Sequence, residues 1–310
     1  MRISIALCTY NGEKYIREQL ISLLNQTILP DEIIVCDDNS TDDTVSIINT
    51  FSNENQFNIF VNTKNIGTIK NFEKAISLTT GDIIFLSDQD DIWYPDKIEK
   101  MINAFDNNLG NLLVFSNGDL IDGNGVLIGS TLWDKWDFNL EIRKNWKNNE
   151  LAFNDLFKNN NKVTGATVAF CKELKNNILP INIPFEYWHD VWIALHASGL
   201  NGLHFIEESL IQYRIHSNQQ IGIPESNNIL DNSHNFRDSI SYEEFYNLIF
   251  EKYPNKSKVF FVNEVISLTK EVNRLKKELK ATRHSKAYRV GKFILKPFSY
   301  IRNLVVDKHE

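Results

Sequence analysis

The 310-residue chain has only three cysteines, Cys8, Cys36 and Cys171, far apart and odd in number. They form no CxxC pair and no Cys/His cluster, which excludes a zinc module and a disulfide framework. Cys8 and Cys36 lie inside apolar runs and read as small core residues of a reducing compartment. No run of 18 apolar residues occurs, and the apolar start MRISIALC is too short for a signal peptide. A cytoplasmic, soluble chain is therefore expected. Glycine-rich phosphate loops are also missing: there is no Gly-x-Gly-x-x-Gly, no Gly-Lys-Ser/Thr and no Gly-x-Ser-x-Gly. Those absences argue against a dinucleotide fold, a P-loop enzyme and a serine hydrolase.

What is present is an alternation. ISIALCTY (3–10) is a short buried strand ending at Asn11-Gly12. Tyr15, Ile16, Leu20, Leu23 and Leu24 then repeat at helical spacing up to Gln26. EIIVCDD (32–38) is a second strand, followed by a helix with Ser40 or Thr41 as its expected N-cap. FNIFVN (57–62), TIKNFEKAISL (68–78) and GDIIFLSD (81–88) continue the pattern. Strand and helix in alternation predict a mainly parallel sheet with helices on both faces, an α/β fold. Ligands bind such sheets outside the carboxyl ends of the strands. Here those ends are Thr9-Tyr10-Asn11, Asp37-Asp38 and Ser87 to Asp91, so three polar clusters should share one rim.

The acids on that rim need a reason. In FLSDQDDIWYP, Asp88, Asp90 and Asp91 crowd together directly after an apolar strand, which raises their pKa values and costs stability. A cation relieves that cost, and so does plain water around a solvated acidic loop; the meeting of three polar clusters on one rim favours the cation. DDNSTDD does not make an EF-hand loop, since it lacks the central glycine and has Ile48 where a glutamate belongs. Oxygen ligands without soft ones select Mg²⁺ or Mn²⁺, bridging the protein to a diphosphate.

Further along, LLVFSNGDLID (112–122) reads as a strand and turn, and residues 130–160 as a flap over the sheet. TGATVAFCKEL (164–174) resumes strand and helix, and YWHDVWIALHASG (187–199) sets His189-Asp190 at a helix entrance. YRIHSNQQIG (213–222) closes the body. The expected organisation is a catalytic domain over 1–222, an Asn- and Asp-rich linker with some helix over 223–256, and a helical tail over 257–310.

CTYNGEKYIREQLISLLNQT, DDNSTDDT, GTIKNF, LSDQDDIWYPDK, HDVW and YRIHSNQQIG, in this order, resemble the family-2 inverting glycosyltransferases of GT-A fold. SDQDD and YRxH resemble most the bacterial rhamnosyltransferase-like members. The resemblance implies a nucleotide-sugar pocket lined by Thr9, Tyr10 and Asn11, with Asp38 accepting from a pyrimidine imide. Lys70 and Asn71 would approach the nucleotide or its phosphates. Asp88-Gln89-Asp90 matches the Asp-x-Asp element, with Asp90 the direct ligand of Mn²⁺ or Mg²⁺, Asp88 beside it and His216 completing the metal or diphosphate site. Asp190 matches the catalytic base. Trp93, Thr164, Gly165, His189 and Trp192 are candidate sugar or acceptor contacts; Trp93 and Trp192 read equally well as core, and His189 more as a structural residue.

The implied donor is dTDP-L-rhamnose, with UDP-galactose, UDP-glucose and UDP-N-acetylhexosamines open; the acceptor is a cell-surface or lipid-linked saccharide. A nucleotidyltransferase and a non-catalytic nucleotide-sugar-binding protein are the rivals. The first is disfavoured by the missing basic phosphate loop, and the second by the presence of both Asp90 and Asp190. A membrane-spanning synthase of the same family is not expected without Gln-x-x-Arg-Trp and apolar spans.

The net charge of −7 hides two halves. Residues 270–310 carry 12 Lys or Arg against 4 Asp or Glu, and the rest carries 21 against 36. Nucleic acid is not expected as a partner of the acidic body. In the tail, Phe261, Val265, Leu268, Val272, Leu275 and Leu279 alternate spacings of four and three over fewer than three heptads. That seam fits a homodimer through 261–279 or a helix packed on its own domain. Residues 284–306 interleave Lys286, Arg289, Lys292, Lys296 and Arg302 with aromatic and aliphatic groups around Pro297. The pattern suits the surface of an anionic bilayer, or packing on the body. The enzyme would then sit peripherally at the inner face of the cell membrane.

Overall fold

The computed structural model describes residues 1–51, 56–108, 110–184, 187–216, 240–256 and 274–275. The chain divides into two compact units, Met1–Tyr253 and Pro254–Glu310. Most of the second unit, including the seam at 261–279 and the basic segment 284–306, lies outside the described residues.

The first unit is built on one nine-stranded sheet. Its N-terminal half follows the expected alternation: β1 (Ile3–Thr9), α1 (Ile16–Leu24), β2 (Glu32–Asp37), α2 (Thr44–Asn49), β3 (Phe57–Val61), α3 (Thr68–Leu78) and β4 (Ile83–Ser87). These four strands are all parallel, in the order β3-β2-β1-β4. Every residue of β1, β2 and β4 is buried, which is why these strands read as continuous apolar runs. β3, at the edge, is half exposed. The helix after β2 starts at Thr44, not at Ser40 or Thr41; those two stay in the loop, where Asn11 and Asp37 use their polar groups.

The C-terminal half adds β5 (Ile92–Trp93), α4 (Lys97–Asp106), β6 (Leu113–Ile121), β7 (Leu127–Thr131), α5 (Leu132–Lys135), α6 (Leu140–Trp146) and α7 (Asn149–Phe157). A 3-10 turn at Gly165–Thr167, β8 (Val168–Cys171), α8 (Lys172–Ile178), α9 (His189–Gly199), β9 (Leu203–Arg214) and α10 (Tyr242–Lys252) follow. The sheet continues β4-β8-β6-β9-β5, with β7 on β6. Here it becomes mixed: β8 is antiparallel to β4 and β6, β9 is parallel to β6, and β5 is antiparallel to β9.

Residues 130–160 are more than a flap. Trp133, Phe138 and Trp146 are buried with Phe115 of β6 and pack on half-buried Phe205 of β9, ring centroids 4.9 to 6.3 Å apart. The body also reaches beyond residue 222. The helix α10 buries Phe245 and Ile249, Phe245 against Phe157 and Trp192, and Tyr253 closes on His196 with its hydroxyl 2.6 Å from Nδ1. Apolar residues spaced by four on this helix need that cover, so 242–253 is body and not linker.

Candidate active site

Because β1, β2 and β4 are parallel and adjacent, their carboxyl ends meet. Thr9 pairs with Asp37, and Leu7 with Ser87. The loops that leave them are locked by side chains. Asp37 accepts from Thr9 Oγ1 at 2.8 Å, from Ser40 N at 2.8 Å and from Ser40 Oγ at 2.6 Å. Asn11, held at φ 48°, accepts from the Thr41 amide at 2.8 Å and donates its own amide to Ser40 Oγ at 2.8 Å. Gln89 spans the rim with both ends of its amide: Oε1 accepts from Tyr10 N at 2.8 Å and Nε2 donates to Tyr10 O at 3.0 Å. Gly12 allows this approach, since a Cβ there would lie 2.3 Å from Gln89 Oε1.

Asp38 is held by groups of the protein itself. It is buried, and its oxygens accept from Asn62 Nδ2, Ile66 N and Gly67 N, each at 2.8 Å. It thereby ties the 62–67 segment to the end of β2. Asn71 is also buried, donating to Cys36 O at 2.7 Å and accepting from Asn62 at 3.0 Å. Lys70 lies at the surface one helical turn from Glu73, at 3.2 Å. Tyr10 and Asn11 remain open to solvent.

The acids after β4 converge with two distant elements. Asp90 Oδ2 stands 3.0 Å from His216 Nε2, just beyond β9. Burial first, then the charges of Asp90 and Asp190, push the Asp88 carboxyl up to about 7, while Lys97 opposes the rise. Asp190, in the first turn of α9, is pushed up to about 6 by burial, against hydrogen bonds from the main-chain amides of Val191 and Gly165 and from the Asn161 side chain. Asp88, Asp90 and Asp190 therefore form one electrostatic cluster, although Asp190 is a hundred residues away in sequence. Asp91 is buried below it, its carboxyl held high by burial and by Asp90 and Asp88. Buried Lys97 donates to Ala166 O at 2.7 Å and sits 3.6 Å above the Trp93 ring, its ammonium pKa lowered by burial.

The arrangement fits a hard divalent ion. Among the described residues no three His, Cys, Asp or Glu side chains form a ready cage. Mg²⁺ and Mn²⁺ do not require one: a carboxylate or two suffices, with waters and phosphates completing the shell. Asp90 and His216 supply one oxygen and one nitrogen at a common point, beside the Asp88 carboxyl, whose pKa is raised by burial first and then by the charges of Asp90 and Asp190.

The weaker candidates separate. Trp93 and Trp192 are both 2% exposed, and Trp192 Nε1 donates to Ile178 O at 2.7 Å, so neither offers a face to a sugar. His189 is buried and stacked on Phe72 at 4.2 Å; burial pushes its pKa down to about 3, and neither ring nitrogen has a hydrogen-bond partner among the described residues. Gly165 is required beside it, because a Cβ would lie 2.9 Å from His189 Nε2. Thr164 accepts from Trp136 Nε1 at 3.2 Å at the partly open edge of the same turn. Sequence reasoning passed over Arg214, Glu18 and Tyr15. The one signal for Arg214 was its place beside His216 in YRIH.

With this geometry in place, the comparisons agree. The family model described as glycosyl transferase family 2 matches residues 4–174, and the chain belongs to that family. An uncharacterised glycosyltransferase of Haemophilus influenzae is 30% identical over 233 residues, covering 70% of this chain and 66% of the relative. The dTDP-rhamnosyl transferase RfbG of Shigella flexneri is 39% identical over 126 residues, 39% of this chain and 41% of the relative. Among solved structures, Staphylococcus aureus TarS 1–349 in complex with UDP-GlcNAc superposes with a TM-score of 0.54 at 19% identity, covering 71% of this chain and 60% of that one. The match thus spans just under two thirds of the Haemophilus relative and of the TarS structure. The fold is the GT-A type, a mixed α/β domain.

Proposed function

We propose that the protein is an inverting glycosyltransferase that moves a sugar, rhamnose from dTDP-L-rhamnose first among the candidates, to a hydroxyl of a cell-surface glycan or lipid-linked saccharide. The observation that carries the reading is Asp190: a carboxyl lifted to about 6, at a helix entrance, in electrostatic reach of the Asp-x-Asp acids. A base of that strength is mostly ionised at neutral pH yet still able to take a proton from an alcohol as it attacks. In the single displacement, the acceptor oxygen bonds to the anomeric carbon, the bond from that carbon to the diphosphate breaks, and the hydroxyl proton passes to Asp190. Inversion follows from one in-line attack.

Asp90 and His216 would hold a Mn²⁺ or Mg²⁺ ion, which when bound neutralises charge on the departing diphosphate. Tyr10 and Asn11 line the nucleoside side, with Thr9, Asp38 and Asn71 fixing the walls behind them and Gln89 tying the metal loop to Tyr10. Lys70 lies on the helix leading from that wall and can meet phosphate oxygens by leaving Glu73. The resemblance of SDQDD and YRxH and the name of the Shigella relative support dTDP-L-rhamnose. The tail, with its basic and apolar residues, would bring the enzyme to an anionic membrane surface bearing a lipid-linked acceptor.

The test is a donor-hydrolysis panel of dTDP-L-rhamnose, UDP-glucose, UDP-galactose and UDP-N-acetylglucosamine, with Mn²⁺, with Mg²⁺ and with EDTA. Metal-dependent release of dTDP above all other nucleotides is expected. Preference for a UDP-hexose would replace rhamnose as the donor, and no turnover of any nucleotide sugar would remove the reading.

A further inference from the structure

Resting on that reading, we infer that Arg214 and Glu18 form a positioning device that holds Asp90 and His216 at the separation a metal ion needs. The Arg214 side chain is 1% exposed. Burying a guanidinium costs several kcal/mol unless its donors are met, and here each set of donors is met by a different part of the site. Nε donates to the main-chain oxygen of Asp90 at 2.8 Å. Nη2 pairs with the Glu18 carboxylate on α1, and Nη1 reaches Asp122 O at 3.4 Å in the turn after β6. The Arg214 amide donates to Asp91 Oδ1 at 3.1 Å. Below it lies the Tyr15 ring, 4.6 Å from the guanidinium carbon, and that ring packs against His216 at 4.7 Å between centroids.

One side chain thus touches the backbone of one candidate metal ligand and, through Tyr15, the ring of the other. It also lies two residues from His216 on the same strand end. The planar fork of arginine can make these contacts together, whereas lysine offers a single point charge on a flexible stem. Glu18 is the anchor: its side chain is 55% exposed on one side and paired with a buried cation on the other. Without it the guanidinium loses the carboxylate that meets Nη2. No role in touching substrate is assigned to either residue; both act through Asp90 and His216.

The experiment uses the full chain and reads metal binding directly. Free Mn²⁺ is followed by its electron paramagnetic resonance signal during titration of wild type, Arg214→Lys and Glu18→Gln, each with dTDP and, in parallel, with UDP. Melting temperatures in EDTA and kcat at saturating Mn²⁺ are measured beside it. Arg214→Lys is expected to weaken Mn²⁺ binding about tenfold, equivalent to about 1.4 kcal/mol. Glu18→Gln, which keeps an acceptor oxygen for Nη2 while removing the charge, is expected to weaken it about threefold. In both, kcat at saturating Mn²⁺ stays within about threefold of wild type, because the bound ion itself draws the two ligands together. Unchanged Mn²⁺ affinity in both variants overturns the inference, as does a lowered melting temperature in EDTA with no change in Mn²⁺ affinity. Wild type that binds Mn²⁺ with nucleotide and responds to the variants, yet turns over no sugar donor, supports this inference and defeats the functional reading. Wild type that binds no Mn²⁺ with either nucleotide defeats the inference.

Discussion

Asp88→Asn should make the metal-free protein more stable while weakening its hold on the metal–nucleotide complex. Burial, with Asp90 and Asp190 adding to it, lifts the Asp88 carboxyl from 3.8 to about 7. Between about pH 4 and pH 7 the native state keeps this proton while the unfolded chain has lost it. Native protein then binds more protons, so stability falls as pH rises through that window and stays reduced above it. At about 1.4 kcal/mol per pH unit, the rise sets a ceiling of about 4 kcal/mol. Asp88 as a residue is only half-buried and the loop can relax, so we expect about 2 kcal/mol. The asparagine variant, isosteric and uncharged, escapes that cost. Its melting temperature in EDTA at pH 8 should exceed wild type by about 4–8 °C, using about 2–4 °C per kcal/mol for a domain of this size. At pH 4 the two proteins should melt together. Adding Mn²⁺ and dTDP should stabilise wild type more than the variant. A variant no more stable than wild type at pH 8, or equally favoured at both pH values, would refute the reasoning that the acidic rim is held at a cost to the fold.

Asp190→Asn should bind donor as wild type does and lose transfer by about 10²- to 10⁴-fold, read by isothermal titration and turnover side by side. In wild type, kcat/KM should fall about tenfold per pH unit below the Asp190 value of about 6, because the base is then protonated; a flat acid limb would place the base elsewhere. Tyr253→Phe removes the hydroxyl 2.6 Å from His196 Nδ1 and should cost about 1 kcal/mol in urea unfolding without altering donor binding, which would confirm that the body runs past residue 222. Full-length protein should float with anionic but not neutral liposomes, and a 1–256 chain with neither; equal behaviour of the two chains would separate the basic tail from any membrane.

The sequence by itself determined the parallel half of the sheet, because β1, β2 and β4 are buried on both faces and read as apolar runs, while the helices between the strands carry apolar residues at helical spacing. It also placed the acids at strand ends, since parallel strands share one carboxyl rim. The joining of Asp190 and His216 to that rim was legible only through resemblance to a family; periodicity and spacing say nothing of it. Tertiary structure alone decided what each polar group does there. Asp38 and Asp90 look alike in sequence, both second or third in acidic loops, yet one is consumed by loop amides and the other faces an imidazole. Trp93 and Trp192 became core residues because β5 and α9 turn them inward. Arg214 carried no pattern of its own, and α10 looked like part of a linker. Their roles come from partners 124 and 196 residues away for the arginine, and 57 residues away for Tyr253. A chain reports its local periodicities directly, whereas the burial and charge compensation of a single side chain depend on which distant elements close over it.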